Sequence, residues 1–139
     1  MGSFSSFDIS ASGIYAQRVR MDVIANNVAN AESTRAPGGG PYRRQTVTFR
    51  AVYEDAAGNR PIPVGVKVEG VVEDPTDYRT VYDPGHPDAD AGGYVKMPNV
   101  NVVEEMVDMI SATRAYEANV AALNATKSMI ATAIEIGRG

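Results

Sequence analysis

All eight prolines of this chain lie between Pro37 and Pro98, so the first 36 residues and the last 41 are free of the strongest helix breaker. Both ends can therefore form long helices. In the C-terminal stretch a row spaced alternately four and three runs Val102, Met106, Met109, Thr113, Tyr116, Val120, Leu123, Lys127, Ile130, Ile134, apolar everywhere except Thr113 and Lys127. That is a heptad seam, and such a seam needs a partner helix. The N-terminal stretch supplies one, with Phe7, Ile14, Met21 and Val28 seven apart and Ile24 and Ala31 on the adjoining register. The pattern fits an intramolecular helical hairpin and an intermolecular bundle equally. The many alanines of the C-terminal stretch, among them Ala112, Ala115, Ala118, Ala121 and Ala122, leave more than one of its sides small enough for close approach.

The expected fold is mainly α with a small β insert: long N- and C-terminal helices paired as a coiled coil around a short β-rich middle. Residues 1–35 form the N-terminal helical arm, 36–98 the Gly/Pro-rich insert and 99–139 the C-terminal helix. The first helix is placed from about Asp8, with Asp8 or Ser10 as its cap, to Ser33. Asn26, Asn27 and Asn30 cluster near its end, where Asn is an indifferent helix former; they read either as a fraying last turn or as amides reaching neighbouring chains. Pro37 to Pro41 is a clear break. Alternation then predicts strands over Tyr42 to Tyr53 and around Val64, Val66 and Val68, joined by a turn at Ala57-Gly58-Asn59-Arg60-Pro61, and a third strand over Tyr78 to Tyr82. The last helix has the clearest start. Asn101 stands three residues before Glu104, the spacing of a capping box, and Glu104 and Glu105 read as charges placed at the positive end of the helix dipole.

Enzyme chemistry is hard to build from these residues. The net charge is −4, and no basic stripe suits nucleic acid or an anionic membrane. Zero cysteines exclude disulfides and thiolate catalysis. His86, the only histidine, sits in a Pro/Gly/Asp turn and reads as a solvated loop residue. Asp83, Asp88 and Asp90 faintly resemble a calcium loop, but Asn99 stands where the closing carboxylate belongs. The glycines 38–40 lead into Pro41-Tyr42 instead of the Lys-Ser or Lys-Thr of a phosphate loop. No catalytic group, cofactor or metal is expected. The N-terminus lacks the basic and apolar regions of a cleaved secretory signal, and no run approaches the roughly 18 apolar residues of a membrane span.

Phe7-Asp8-Ile9-Ser10-Ala11-Ser12-Gly13, Ala16-Gln17-Arg18-Val19-Arg20-Met21 and Ile24-Ala25-Asn26-Asn27-Val28-Ala29-Asn30-Ala31 together resemble the N-terminal signature of the bacterial flagellar rod and hook proteins. The run Pro98 to Met106, with Arg114-Ala115-Tyr116-Glu117-Ala118-Asn119, is similar to the matching C-terminal signature. Within that family, the segment Gly39 to Gln45 and the short insert look like those of a proximal rod subunit; Leu123 as the sole leucine is a departure. The resemblance implies a non-enzymatic subunit of the periplasmic drive shaft, exported unfolded by the flagellar type III apparatus without a cleaved signal. It would assemble as a helical tube with copies of itself, other rod proteins and the MS-ring junction protein. The assembly seam would then comprise Ile14, Met21, Ile24, Val28, Val102, Met106, Met109, Tyr116, Val120, Leu123, Ile130 and Ile134, with Tyr42, Arg43 and Arg44 as a further subunit contact. The alternative is a non-polymerising coiled-coil regulator or secretion chaperone.

Overall fold

The computed structural model describes residues 2–58 and 60–139, the side chains of residues 2–4 excepted. In chain order these residues form α1 (Gly2–Ala29), β1 (Gln45–Ala56), β2 (Arg60–Glu73), β3 (Arg79–Tyr82), β4 (Tyr94–Met97) and α2 (Val102–Arg138). The fold is mainly α with a small β middle, as the sequence predicts.

The two helices pack antiparallel. Asn27 meets Glu105, the Thr113 hydroxyl approaches the Met21 sulfur at 3.6 Å, and the Asn119 side chain lies against Gly13. A Cβ at Gly13 would stand 2.8 Å from Asn119 Oδ1, so glycine is what allows the helices this close. The face of α2 turned inward runs Glu105, Met109, Ala112, Tyr116, Asn119, Leu123, Thr126, Ile130. It shares Met109, Tyr116, Leu123 and Ile130 with the row read from the sequence. At the alternate positions it places Glu105, Ala112, Asn119 and Thr126, each one residue earlier than Met106, Thr113, Val120 and Lys127. Small and polar residues win these positions because they admit the close approach at Gly13 and the polar junction described below.

α1 begins earlier than predicted, so neither Asp8 nor Ser10 caps it; Ser10 is buried in the helix body. α2 starts as expected, with the Asn101 Oδ1 accepting from Val103 N–H at 3.1 Å and Glu104 N–H at 3.4 Å. Its first turn carries Glu104 and Glu105 and its last turn Arg138, both favourable to the helix dipole.

β1 and β2 form an antiparallel ribbon whose register shifts between Thr48 and Phe49 and between Val52 and Tyr53. Those bulges break the strict alternation; β1 is half-buried over its first four residues and exposed through most of the remainder. The ribbon lies along α1. Asn27 holds Gln45 at one end, and Ser12 Oγ accepts from Val66 N–H at 3.1 Å near the other. From Asn27 back to Ser12 is about 22 Å of helix, and from Gln45 to Val52 about 23 Å of strand, so the two run side by side. Beyond that point the ribbon carries Tyr53 opposite Pro63 and Asp55 opposite Pro61 into solvent. Of the predicted turn at 57–61, Ala57 and Gly58, the latter at φ +108°, fall between the strands, whereas Arg60 and Pro61 already belong to β2; its Asn59 lies outside the described residues.

β3 pairs with β4, a strand the sequence reading did not anticipate. Val95 at its centre is buried, and Tyr82 and Tyr94 meet edge to face at 5.2 Å. Tyr42 packs with Ala31 and Val100 where α1 ends and α2 begins. No described helix is long and apolar enough to cross a membrane.

Candidate functional site

The densest chemistry in the molecule is structural. Where α1, β1 and the start of α2 converge, Glu105 and Asn27 are both 0% exposed. The Asn27 amide donates to Glu105 Oε2 at 2.9 Å and to the Gln45 carbonyl at 2.8 Å, while its Oδ1 accepts from Gln45 N–H at 2.9 Å and the Tyr42 hydroxyl at 2.8 Å. Every capacity of that side chain is used. Glu105 Oε1 takes the Nε of Arg44, whose other nitrogens reach Asp74 at 3.2 Å and Asp108 at 3.4 Å. Arg44 is fixed by its backbone as well: its N–H donates to Asn99 Oδ1 at 2.7 Å, and the Asn99 amide bonds Asp74 O, Thr76 O and Thr76 Oγ1. One guanidinium thus ties β1, the segment after β2 and α2 together.

The electrostatics follow from this packing. Burial pulls the Arg44 guanidinium down, but hydrogen bonding and attraction to Glu105 and Asp74 outweigh it and leave it raised, permanently charged. The Asp74 carboxyl is held below its usual range, first by the Thr76 N–H and hydroxyl and then by Arg44. The Tyr42 hydroxyl is pushed up by burial.

The sequence-predicted contact residues divide. Tyr42 is buried and Arg44 is engaged within the chain. Arg43 donates to Asp74 O and Thr76 O and stacks over the Tyr78 ring at 4.4 Å, on the wall of an open cleft of about 560 Å³ beneath the Pro37–Pro41 turn. Asn26, Asn27 and Asn30 bond within their own chain, which neither reading of the cluster foresaw. Glu105 is more than a dipole charge; its burial could have been suspected only from its place in phase with Ala112 and Asn119. In the loop after β3, His86 Nδ1 accepts from Asp88 N–H, Asp90 from Gly92 and Tyr94 N–H, and Asp88 pairs with Arg35 at 2.8 Å. Among the described residues no cluster of carboxylates and histidines suits a metal.

The predicted seam divides too. Ile24 is buried; Ile14, Met21, Val28, Met109, Tyr116, Val120, Leu123 and Ile130 are half-buried. Val102, Met106 and Ile134 face outward. With Val103, Val107 and Ile110, the first two form an apolar stripe on the outer side of α2, Met106 55% and Ile110 57% exposed. At the far end α2 continues past α1, and Ile136 is 75% exposed.

A helical pair with an inserted ribbon, polar at one inner end and apolar outside, has the form of an assembly subunit. Family models of the flagellar basal body rod proteins match it at both ends: the rod protein model at residues 7–36, and the C-terminal model of rod FlgEFG proteins at residues 91–136. The FlgC basal-body rod protein of Borreliella burgdorferi is 46% identical, across all of both chains. Those of Bacillus subtilis and Salmonella typhimurium are 47% and 46% identical, across 99% of this chain and all of theirs. The chain belongs to the FlgC family of flagellar basal-body rod proteins. It is a structural subunit of the rod, not an enzyme.

Proposed function

We propose that the subunit builds the proximal part of the rod as one element of a helical tube, its terminal helices packed as a coiled coil with those of neighbouring copies and other rod proteins. One observation carries this reading: α2 satisfies α1 with one face yet leaves Val102, Val103, Met106, Val107 and Ile110 exposed on another. An apolar row of that length in a structural subunit is a contact waiting for a neighbour. A heterologous contact repeated about a screw axis generates an open filament, the geometry of a shaft. The MS-ring junction protein at the base is the neighbour this position implies, and the flagellar export apparatus handles the unfolded chain in transit. Of the predicted contact Tyr42, Arg43 and Arg44, Arg43 is the member with a surface left to offer, lining the open cleft beside Tyr78.

The test is Met106→Asp beside Leu123→Asp. Leu123 lies between the helices and Met106 outside them, so loss of rods and motility with continued export in both variants supports the reading. Intact rods with Met106→Asp overturn the assignment of the outer stripe.

A further inference from the structure

We infer that Glu105 is the registration residue of the subunit, fixing both the axial register of α1 against α2 and the place where the insert leaves them. The inference concerns pairing within one chain and does not depend on which outer face meets a neighbour. Along the inward face of α2, the large apolar positions Met109, Tyr116, Leu123 and Ile130 recur every seven residues. A slip of one heptad exchanges one of them for another, so these contacts carry little information about register. That information lies in the alternating positions Glu105, Ala112, Asn119 and Thr126. Of these, Asn119 opposes a slip only sterically, since a shift of one heptad would set it against Ser6 or Arg20 instead of Gly13. Glu105 alone is a fully buried ionisable group with directional bonds to two other elements, Asn27 of α1 and Arg44 at the entrance to the ribbon.

A slip by seven residues in either direction carries Glu105 away from Asn27, and from Arg44 as well if the insert stays with α1. It leaves the Asn27 amide opposite Ala112 or the loop before α2, and a buried charge without its guanidinium is strongly disfavoured. Gln45, held by Asn27, adjoins Arg44, held by Glu105 and Asp108, so the same event must break one of these ties and unseat the root of the β1–β2 ribbon from one of the helices. Register and insert placement are therefore decided at one point, as a single polar residue decides register in an otherwise uniform heptad array.

The cysteine-free chain permits a direct test in cells, on the full-length protein. A Met21→Cys/Thr113→Cys pair reports the observed register, since these side chains touch. Met21→Cys with Met106→Cys, and Met21→Cys with Val120→Cys, report slips of one heptad, about 10 Å along the axis and beyond disulfide reach in the observed register. In the parent chain only the first pair cross-links within a monomer. With Glu105→Leu, which keeps the face apolar, a slipped pair is expected to cross-link at a yield comparable to the in-register pair. With Glu105→Gln, which retains hydrogen bonding toward Asn27, the parent pattern is expected to return. In-register cross-linking alone with Glu105→Leu overturns the inference, as does slippage with Glu105→Gln. Failure of every pair with Glu105→Leu while Glu105→Gln behaves like the parent shows a residue needed for folding as such, and also overturns it.

Discussion

The junction of Asn27, Arg44 and Glu105 and the free part of the β1–β2 ribbon are made of opposite materials. At the junction the buried groups are polar, and Asn27 uses its full bonding capacity within the chain. On the ribbon, Tyr53 and Ile62 are large and apolar, yet 59% and 50% exposed. The usual relation of inside and outside is reversed, and the reversal separates two tasks. Directional bonds make one subunit a defined shape, while exposed apolar groups await whatever the shape is placed against.

The most severe break in this comparison is expected from Arg44→Ala. Removing one member of a buried pair strands Glu105, at a cost of about 3–5 kcal/mol. Thermal unfolding of the purified chain should show it, and a shift no larger than that of a surface substitution would count against the junction as the main internal tie. Gly13→Ala comes next. The added Cβ meets Asn119, whose amide is held by the Ala115 carbonyl at 2.9 Å, so overpacking of about 1–3 kcal/mol opposes a helix-propensity gain of about 1 kcal/mol. A net loss of about 1 kcal/mol is expected, reversed to a gain when Asn119→Ala is added; stabilisation by the single change would show that Asn119 moves aside freely.

Acid should act on the junction through Asp74. Its folded-state pKa lies below the unfolded value of about 4, so the stability it contributes is complete above that value and is lost as pH falls through the depressed one. Denaturant titrations at falling pH should therefore show a smaller acid loss in Asp74→Asn than in the parent; parallel curves would remove Asp74 from the account. Smallest of all is Tyr53→Ser at the exposed ribbon, expected to change subunit stability by no more than about 0.5 kcal/mol. If it unfolds the subunit, the ribbon belongs with the junction and the comparison fails.

The long elements were legible because their signals were long. Freedom from proline marked both helices, and Asn101 marked the start of α2 to the residue. β4 escaped because four residues between a glycine pair and Pro98 give too short a period to recognise, and β1 kept its strand but lost its phase to two bulges. The junction was harder still. Asn27, Arg44 and Glu105 are separated by 61 residues between the last two alone, and nothing local distinguishes Glu105 from its neighbour Glu104. The face of α2 was misread by part of a turn for a related reason: a search for apolar residues follows Met106 and Val120, whereas close packing selected Ala112 and Asn119.

Pro61 and Pro63 on β2 have a consequence for the chain before it reaches any rod. A two-stranded ribbon with exposed Tyr53, Val71 and Val72 would ordinarily recruit stray strands along its margins. On β2, however, two of the amide hydrogens needed for recruitment are missing, and that of Val66 is already committed to Ser12. Over Pro61 to Val66 that margin has few donors left to trade, so a stray strand finds little to pair with along this part of the ribbon.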